Sequence, residues 1–137
     1  MDYGTLVLLI ITHIIFDFLL QTRDIAKNKS SNIKYLIPHL VILGIGLMIF
    51  TKLSGRYSPN QAMLFIMWNV FLHGVIDWNI WRLYKWTVIK RHTKSKVVDY
   101  DYKFWEDGVF YDFIAYDQGL HALCYLGLDW VVRSFVV

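Results

Sequence analysis

Residues 3–20 read YGTLVLLIITHIIFDFLL. Apart from Thr5, Thr12, His13 and Asp17 the stretch is almost all Leu, Ile, Val and Phe. At a rise of about 1.5 Å per residue, a helix of this length crosses most of a hydrocarbon core. Ionisable groups inside such a segment are costly and are seldom incidental. His13, Asp17 and Gln21 are spaced by four, which places them on one helix face.

The pattern recurs along the chain. A second apolar run, about 35–50, carries His39 directly after Pro38 in its first turn. A third, about 62–84, presents Asn69, His73 and Asp77 at spacing four. A fourth, about 111–136, carries Asp117 and His121, with Gln118 beside them. The expected fold is all-α: a four-transmembrane-helix bundle in a single membrane domain spanning 1–137, with an interfacial segment at 85–110. Composition agrees, with 56% hydrophobic and 18% charged residues against about a quarter charged in soluble domains. A soluble helical core is the competing reading, and apolar runs near bilayer length weigh against it.

Lys and Arg cluster in 23–34 and 82–103. Basic loops face the cytoplasm, so both termini are expected on the non-cytoplasmic side of the inner membrane, with a multi-pass chain between them. Loop 23–34 is polar and rich in turn formers. Tyr84 to Lys96 mixes bases with Trp86, Val88 and Ile89, as a short amphipathic segment on the membrane surface does. The aromatic and acidic stretch 97–112 suits a membrane-resting linker or a lid, with Gly108 as a turn. Nucleic acid is not an expected partner, because no groove-reading motif accompanies the charge. Cys124 is the only cysteine, which excludes a disulfide framework and a thiolate zinc site, and it reads as packing. The N-terminus lacks a basic leader and a cleavage site, so the first run is expected to be retained.

Smaller features have structural readings. Trp68, Trp78 and Trp81 are bulk and interfacial anchors. Gly44 and Gly46 allow close approach of a neighbouring helix. Asp129 and Arg133 pair along their helix. His92, among bases, is expected to be exposed.

Alternating helix directions then bring the polar residues to one depth. In the first and third spans His precedes Asp, whereas in the fourth, running the other way, Asp117 precedes His121. His39, near the inner start of the second span, joins the same layer. Carboxylates do not stay ionised cheaply in hydrocarbon, and a divalent cation supplies the missing charge. Metal ligands are therefore expected at His13, Asp17, His39, His73, Asp77, Asp117 and His121. Seven ligands suit one or two ions, zinc first, with manganese, iron or nickel as alternatives. Gln21 and Gln118 are expected to orient ligands or substrate. One of Asp17, Asp77 and Asp117 is expected to act as a catalytic base.

The run His13-Ile-Ile-Phe-Asp17-Phe18-Leu-Leu-Gln21, the Lys-Asn-Lys loop after it, His39, His73-Gly-Val-Ile-Asp77 and Asp117-Gln118-Gly-Leu-His121 resemble an uncharacterised family of small bacterial and phage integral membrane proteins, a domain of unknown function. The resemblance covers most of the chain in order and implies a membrane protein, without a substrate. The stretch 97–112 departs from the compact family pattern.

The resulting expectation is a metal-dependent hydrolase in the bilayer, acting from the cytoplasmic side on an anionic substrate, either a lipid headgroup or a phosphorylated small molecule. A homo-oligomer stays open. Alternatives are a proton- or cation-coupled transporter or channel, built on the same His and Asp chemistry, and a non-catalytic phage or bacterial membrane regulator with a structural metal.

Overall fold

A computed structural model describes residues 2–95 and 108–135, without the side chains of 91–95. The described residues form helices and their connections, with no strand. Helix α1 is Tyr3–His13, and it continues as a π-helical turn over Ile14–Leu19. Helix α2 is Arg23–Asn28, α3 is Ile33–Ser54, α4 is Pro59–Ser95 and α5 is Gly108–Phe135.

Local chemistry marks the ends. Asp2 caps α1 by accepting from the Thr5 N–H at 2.9 Å, and a salt bridge from Arg56 holds the same carboxylate. Thr22 and Asn32 cap α2 and α3 in the same manner. Gly55 ends α3 with φ of 60°, a left-handed conformation that favours glycine. Ser58 and Gln61 exchange hydrogen bonds at the start of α4, with Pro59 in its first position.

Four expectations about element boundaries change. Residues 23–34 are not simply a loop: they contain α2. Tyr84 to Lys96 is not a separate surface segment, because α4 runs unbroken to Ser95, with no proline or glycine after Gly74 to stop it. Pro38 lies in the second turn of α3 rather than the first, since the helix opens at Ile33. Of 97–112, only residues from Gly108 onward are described, and these open α5 instead of forming a turn. The rest of that stretch, and the side chain of His92, lie outside the described residues.

Helix α3 packs on α1, α2 and α4, and α4 packs on α5. Glycines set two of these approaches. A Cβ at Gly46 would collide with the Phe16 ring, whose Cδ2 would be 2.7 Å away. One at Gly74 would lie 2.9 Å from Leu40. Gly44 has ordinary room, 3.5 Å from Val70. Because Gly46 and His39 are two turns apart on α3, the contact that seats Phe16 also brings Asp17 to the His39 face.

The interior has two layers. Early α1, late α3, early α4 and late α5 contribute Leu9, Leu43, Leu47, Phe50, Phe65, Tyr125 and Val132 to an apolar core. The opposite ends of the same helices contribute buried His39, His73, Asp77, Asp117 and His121, with Asp17 from the π turn. The outside is apolar: Leu19 is 72% exposed, Leu123 68%, Leu53 67% and Trp130 64%. Among the described residues two helices are long and apolar enough to cross a membrane, Ile33–Ser54 and Pro59–Lys90, and Tyr3–Leu19 is a shorter apolar helix.

Candidate metal centre

Three His and Asp pairs reach the centre through helical spacing, and His39 joins them from α3. His73 and Asp77 are one turn apart on α4, 3.2 Å between Nε2 and Oδ2. Asn69 lies one turn before them, its amide donating to the Phe65 carbonyl at 2.8 Å. His13 and Asp17 are 3.4 Å apart across the π turn, where Leu20 N–H bonds to the Ile15 carbonyl. Such insertions into α-helices are frequent at functional sites.

All seven expected ligands come together. They form three groups whose potential donor atoms lie within 4.8 Å of one another: Asp17, His39, His73 and Asp77; His13, Asp17 and His121; Asp77, Asp117 and His121. In the first group His39 Nε2 stands 3.0 Å from His73 Nε2, 3.1 Å from Asp17 Oδ1 and 3.0 Å from Asp77 Oδ2. His73 Nε2 stands 3.4 Å from Asp17 Oδ1 and 3.2 Å from Asp77 Oδ2. Four donors about 2.0–2.1 Å from a tetrahedral zinc ion are about 3.3–3.4 Å from one another. The five spacings among His39, His73, Asp17 and Asp77 that involve a histidine, 3.0–3.4 Å, are close to the edges of a shell of that size.

The groups share carboxylates in a usable way. Asp77 sets Oδ2 against the first group, and both of its oxygens are buried without a hydrogen-bond partner among the described residues. The same is true of Asp117 Oδ1 and of both ring nitrogens of His121. His121 Nδ1 is 3.9 Å from Asp117 Oδ2, beyond hydrogen-bond range. Its ring stacks on that of His73 with centroids 3.9 Å apart. Buried polar groups left in this state are uncommon and point to something that binds them. The Nδ1 atoms of His39 and His73 also have no hydrogen-bond partner among the described residues, so these rings lack the outer support usual for metal-binding imidazoles.

The two glutamines differ. Gln118 joins two parts of the site, accepting from His13 Nε2 at 3.2 Å and donating to Asp117 Oδ2 at 3.0 Å. Gln21 is not on the helix face of His13 and Asp17: it lies at the bend after the π turn, its Oε1 buried and without a hydrogen-bond partner among the described residues. The turn between the first span and α2 takes it out of register.

The structure adds residues that the sequence reading passed over. Tyr125 donates its hydroxyl to His13 Nδ1 at 3.1 Å, in the tautomer that lets Nε2 donate to Gln118. It sits one turn beyond His121, so the spacing Asp117, His121, Tyr125 was a signal for it. Lys29 had no such signal. At the end of α2 it is 6% exposed, with Nζ 3.0 Å from Asp77 Oδ2, 3.5 Å from Asp17 Oδ1 and 3.3 Å from His39 Nε2. Burial favours the neutral amine, but the Asp77 and Asp17 carboxylates outweigh it and raise the Lys29 pKa, so the ammonium stays charged. The adjoining turn is fastened to α4: Arg82 Nε donates to the Ser30 carbonyl at 2.6 Å and Lys85 Nζ to Ser30 Oγ at 3.3 Å. Arg82 also lies over the Trp78 ring, 3.7 Å from its centroid.

A cavity of about 270 Å³ opens beside the centre, between α1 and α5. Leu6, Leu9, Ile10 and Leu126 line its apolar part, and His13, Gln118 and Tyr125 its polar end.

These features describe an all-helical protein with a buried His and Asp cluster able to hold a metal ion. Residues 5–128 match the family described as "Protein of unknown function (DUF3307)", and the chain belongs to that family. No curated protein and no solved structure matches it.

Proposed function

We propose that this chain is a four-transmembrane-helix protein of the inner membrane, with both termini on the non-cytoplasmic side, and that its buried centre holds one or two divalent ions, zinc first, for hydrolysis of an anionic substrate from the cytoplasmic side. The observation that carries this reading is the convergence of Asp17, His39, His73 and Asp77, with each imidazole Nε2 3.0–3.4 Å from the other and from both carboxylates, beside a buried His121 with neither ring nitrogen partnered among the described residues. An apolar exterior around helices that bury a layer of His and Asp supports the bilayer setting.

The four-residue group has a full set of protein ligands, as closed structural zinc sites do. The groups built on His121 offer three ligands each, which leaves a position for water or substrate. A bound ion would supply Lewis acidity and a water of lowered pKa. Asp117 is the best placed base: Gln118 steadies its Oδ2, and its Oδ1 is free of other bonds among the described residues. Asp77 can serve both groups through its two oxygens. His13 is held between Tyr125 and Gln118, so it enters the ligand shell by giving up a hydrogen bond. The cavity between α1 and α5 favours a lipid over a soluble phosphate ester, because an acyl chain lying along it ends at His13 and Gln118. Lys27, Arg82, Lys85 and Lys90 favour an anionic headgroup.

The test is metal analysis of detergent-purified wild type, His73→Ala and His121→Ala, with turnover assays on phosphatidic acid vesicles and 4-nitrophenyl phosphate. Bound metal that falls in both variants, with metal-dependent turnover, is the expected result. Metal-free wild type, or variants with unchanged content, removes the reading. Metal without turnover of either probe favours a non-catalytic brace. Cation flux in proteoliposomes that disappears in Asp77→Asn favours a transporter, although Leu43, Leu47, Phe50 and Phe65 fill the interior beyond Asn69 and a conducting path needs polar lining throughout.

A further inference from the structure

The end of α2 carries an ammonium into the same carboxylates that the proposed ion would use. Lys29 Nζ lies 3.0–3.5 Å from Asp77 Oδ2, Asp17 Oδ1 and His39 Nε2. These distances seat the ammonium on the Asp17, His39 and Asp77 side of the donor cluster, outside its centre. An ion at that centre would be about 3.4 Å from Nζ, given metal–donor distances of about 2.0–2.1 Å. Two positive charges at that separation, away from bulk water, repel strongly. The ammonium and the metal therefore compete for one pair of carboxylates.

The chain around Lys29 suits an element with two positions. Helix α2 has six residues and none of them is buried, so little apolar packing holds it. Besides its packing on α3, its attachments are polar: Lys29 to Asp17 and Asp77, and Ser30 to Arg82 and Lys85. Removing the Lys29 contact leaves a short helix held by its packing on α3 and by the Ser30 turn.

From this we infer that Lys29 is a tethered counter-cation that guards the Asp17–His39–His73–Asp77 site, holding its carboxylates in the metal-free protein and leaving when a divalent ion binds. The inference rests on the metal-site reading and adds regulation to it. Metal affinity is then set by the ligands and also by the cost of dislodging α2, so a signal that draws Lys29 outward, such as an anionic surface at the mouth, loads the site.

Two measurements decide it. Zinc binding to detergent-solubilised wild type and Lys29→Met is measured by competition with a chelating dye. Lysine acylation, read by mass spectrometry, is followed on wild type with and without zinc. Removal of the competitor is expected to tighten zinc binding at least tenfold in Lys29→Met, and zinc is expected to turn Lys29 from protected to reactive in wild type. Equal or weaker binding by Lys29→Met overturns the inference while leaving the metal site standing. So does a Lys29 that stays protected in zinc-loaded wild type, a result that does not depend on the variant folding. Absence of zinc binding in both proteins overturns this inference and the metal-site reading together.

Discussion

His121 is 2% exposed, and among the described residues neither of its ring nitrogens has a hydrogen-bond partner. A buried polar group in that state costs stability, and an apolar residue of similar size relieves the cost. His121→Leu is therefore expected to melt at or above the wild-type Tm in metal-free buffer and to lose the rise that zinc gives the wild type. That rise corresponds to about 2.7 kcal/mol when free zinc is a hundredfold above Kd. Differential scanning of both proteins with and without zinc checks it, and a variant that melts far below wild type without metal would contradict it. At the other end of the molecule Tyr57 donates its hydroxyl to Asp129 at 2.7 Å, while Arg133 pairs with the same carboxylate at 3.7 Å, as its spacing anticipated. Burial, then the Asp129 carboxylate, raise the Tyr57 pKa. The stabilisation this gives is full below the unfolded value of about 10 and is lost as pH rises toward the folded value. Tyr57→Phe is expected to cost about 1–3 kcal/mol at neutral pH and to flatten the decline in stability above pH 10.

Two glycines of α3 respond in opposite ways at the scale of a helix pair. Gly46 faces the Phe16 ring so closely that a methyl group has no room, whereas a Cβ at Gly44 meets Val70 at 3.5 Å. Gly46→Ala must push back the π turn that carries Asp17, at about 1–3 kcal/mol. Gly44→Ala removes backbone freedom from a helix interior and is expected to be neutral or to stabilise by about 0.5–1 kcal/mol. Thermal unfolding of the pair in detergent tests this. A Gly46→Ala protein that also binds zinc less tightly would tie the packing of Phe16 to the placement of Asp17. The π turn could not be foreseen, since a helix with one inserted residue has the same composition as one without. The single 37-residue α4 was missed for a different reason: its last turns are basic and resemble a surface segment, although no residue there breaks a helix.

For the molecule as a whole, the proposed orientation can be tested with single cysteines in a Cys124→Ser background. Lys27 on α2 and Lys52 near the end of α3 are exposed and lie at opposite ends of α3. A membrane-impermeant maleimide is expected to label Lys52→Cys from the non-cytoplasmic side and Lys27→Cys only after permeabilisation. The reverse pattern would put the metal centre in the outer half of the membrane and remove cytoplasmic substrates from consideration.

Helical periodicity by itself determined which side chains share faces. His73 with Asp77, Asp117 with His121 and the antiparallel reversal between them were legible, because spacing along a helix is local and a change of direction inverts it. The all-helical class was legible too, from apolar runs that need no partner to be recognised. Tertiary structure alone decided that Lys29 leaves a basic connection to lie against Asp17 and Asp77, and that Gln118 joins His13 to Asp117 while Gln21 falls out of register. Those outcomes depend on contacts between residues far apart in the chain. A side chain in a turn follows the carboxylates it meets in space, and no spacing in the sequence encodes that meeting.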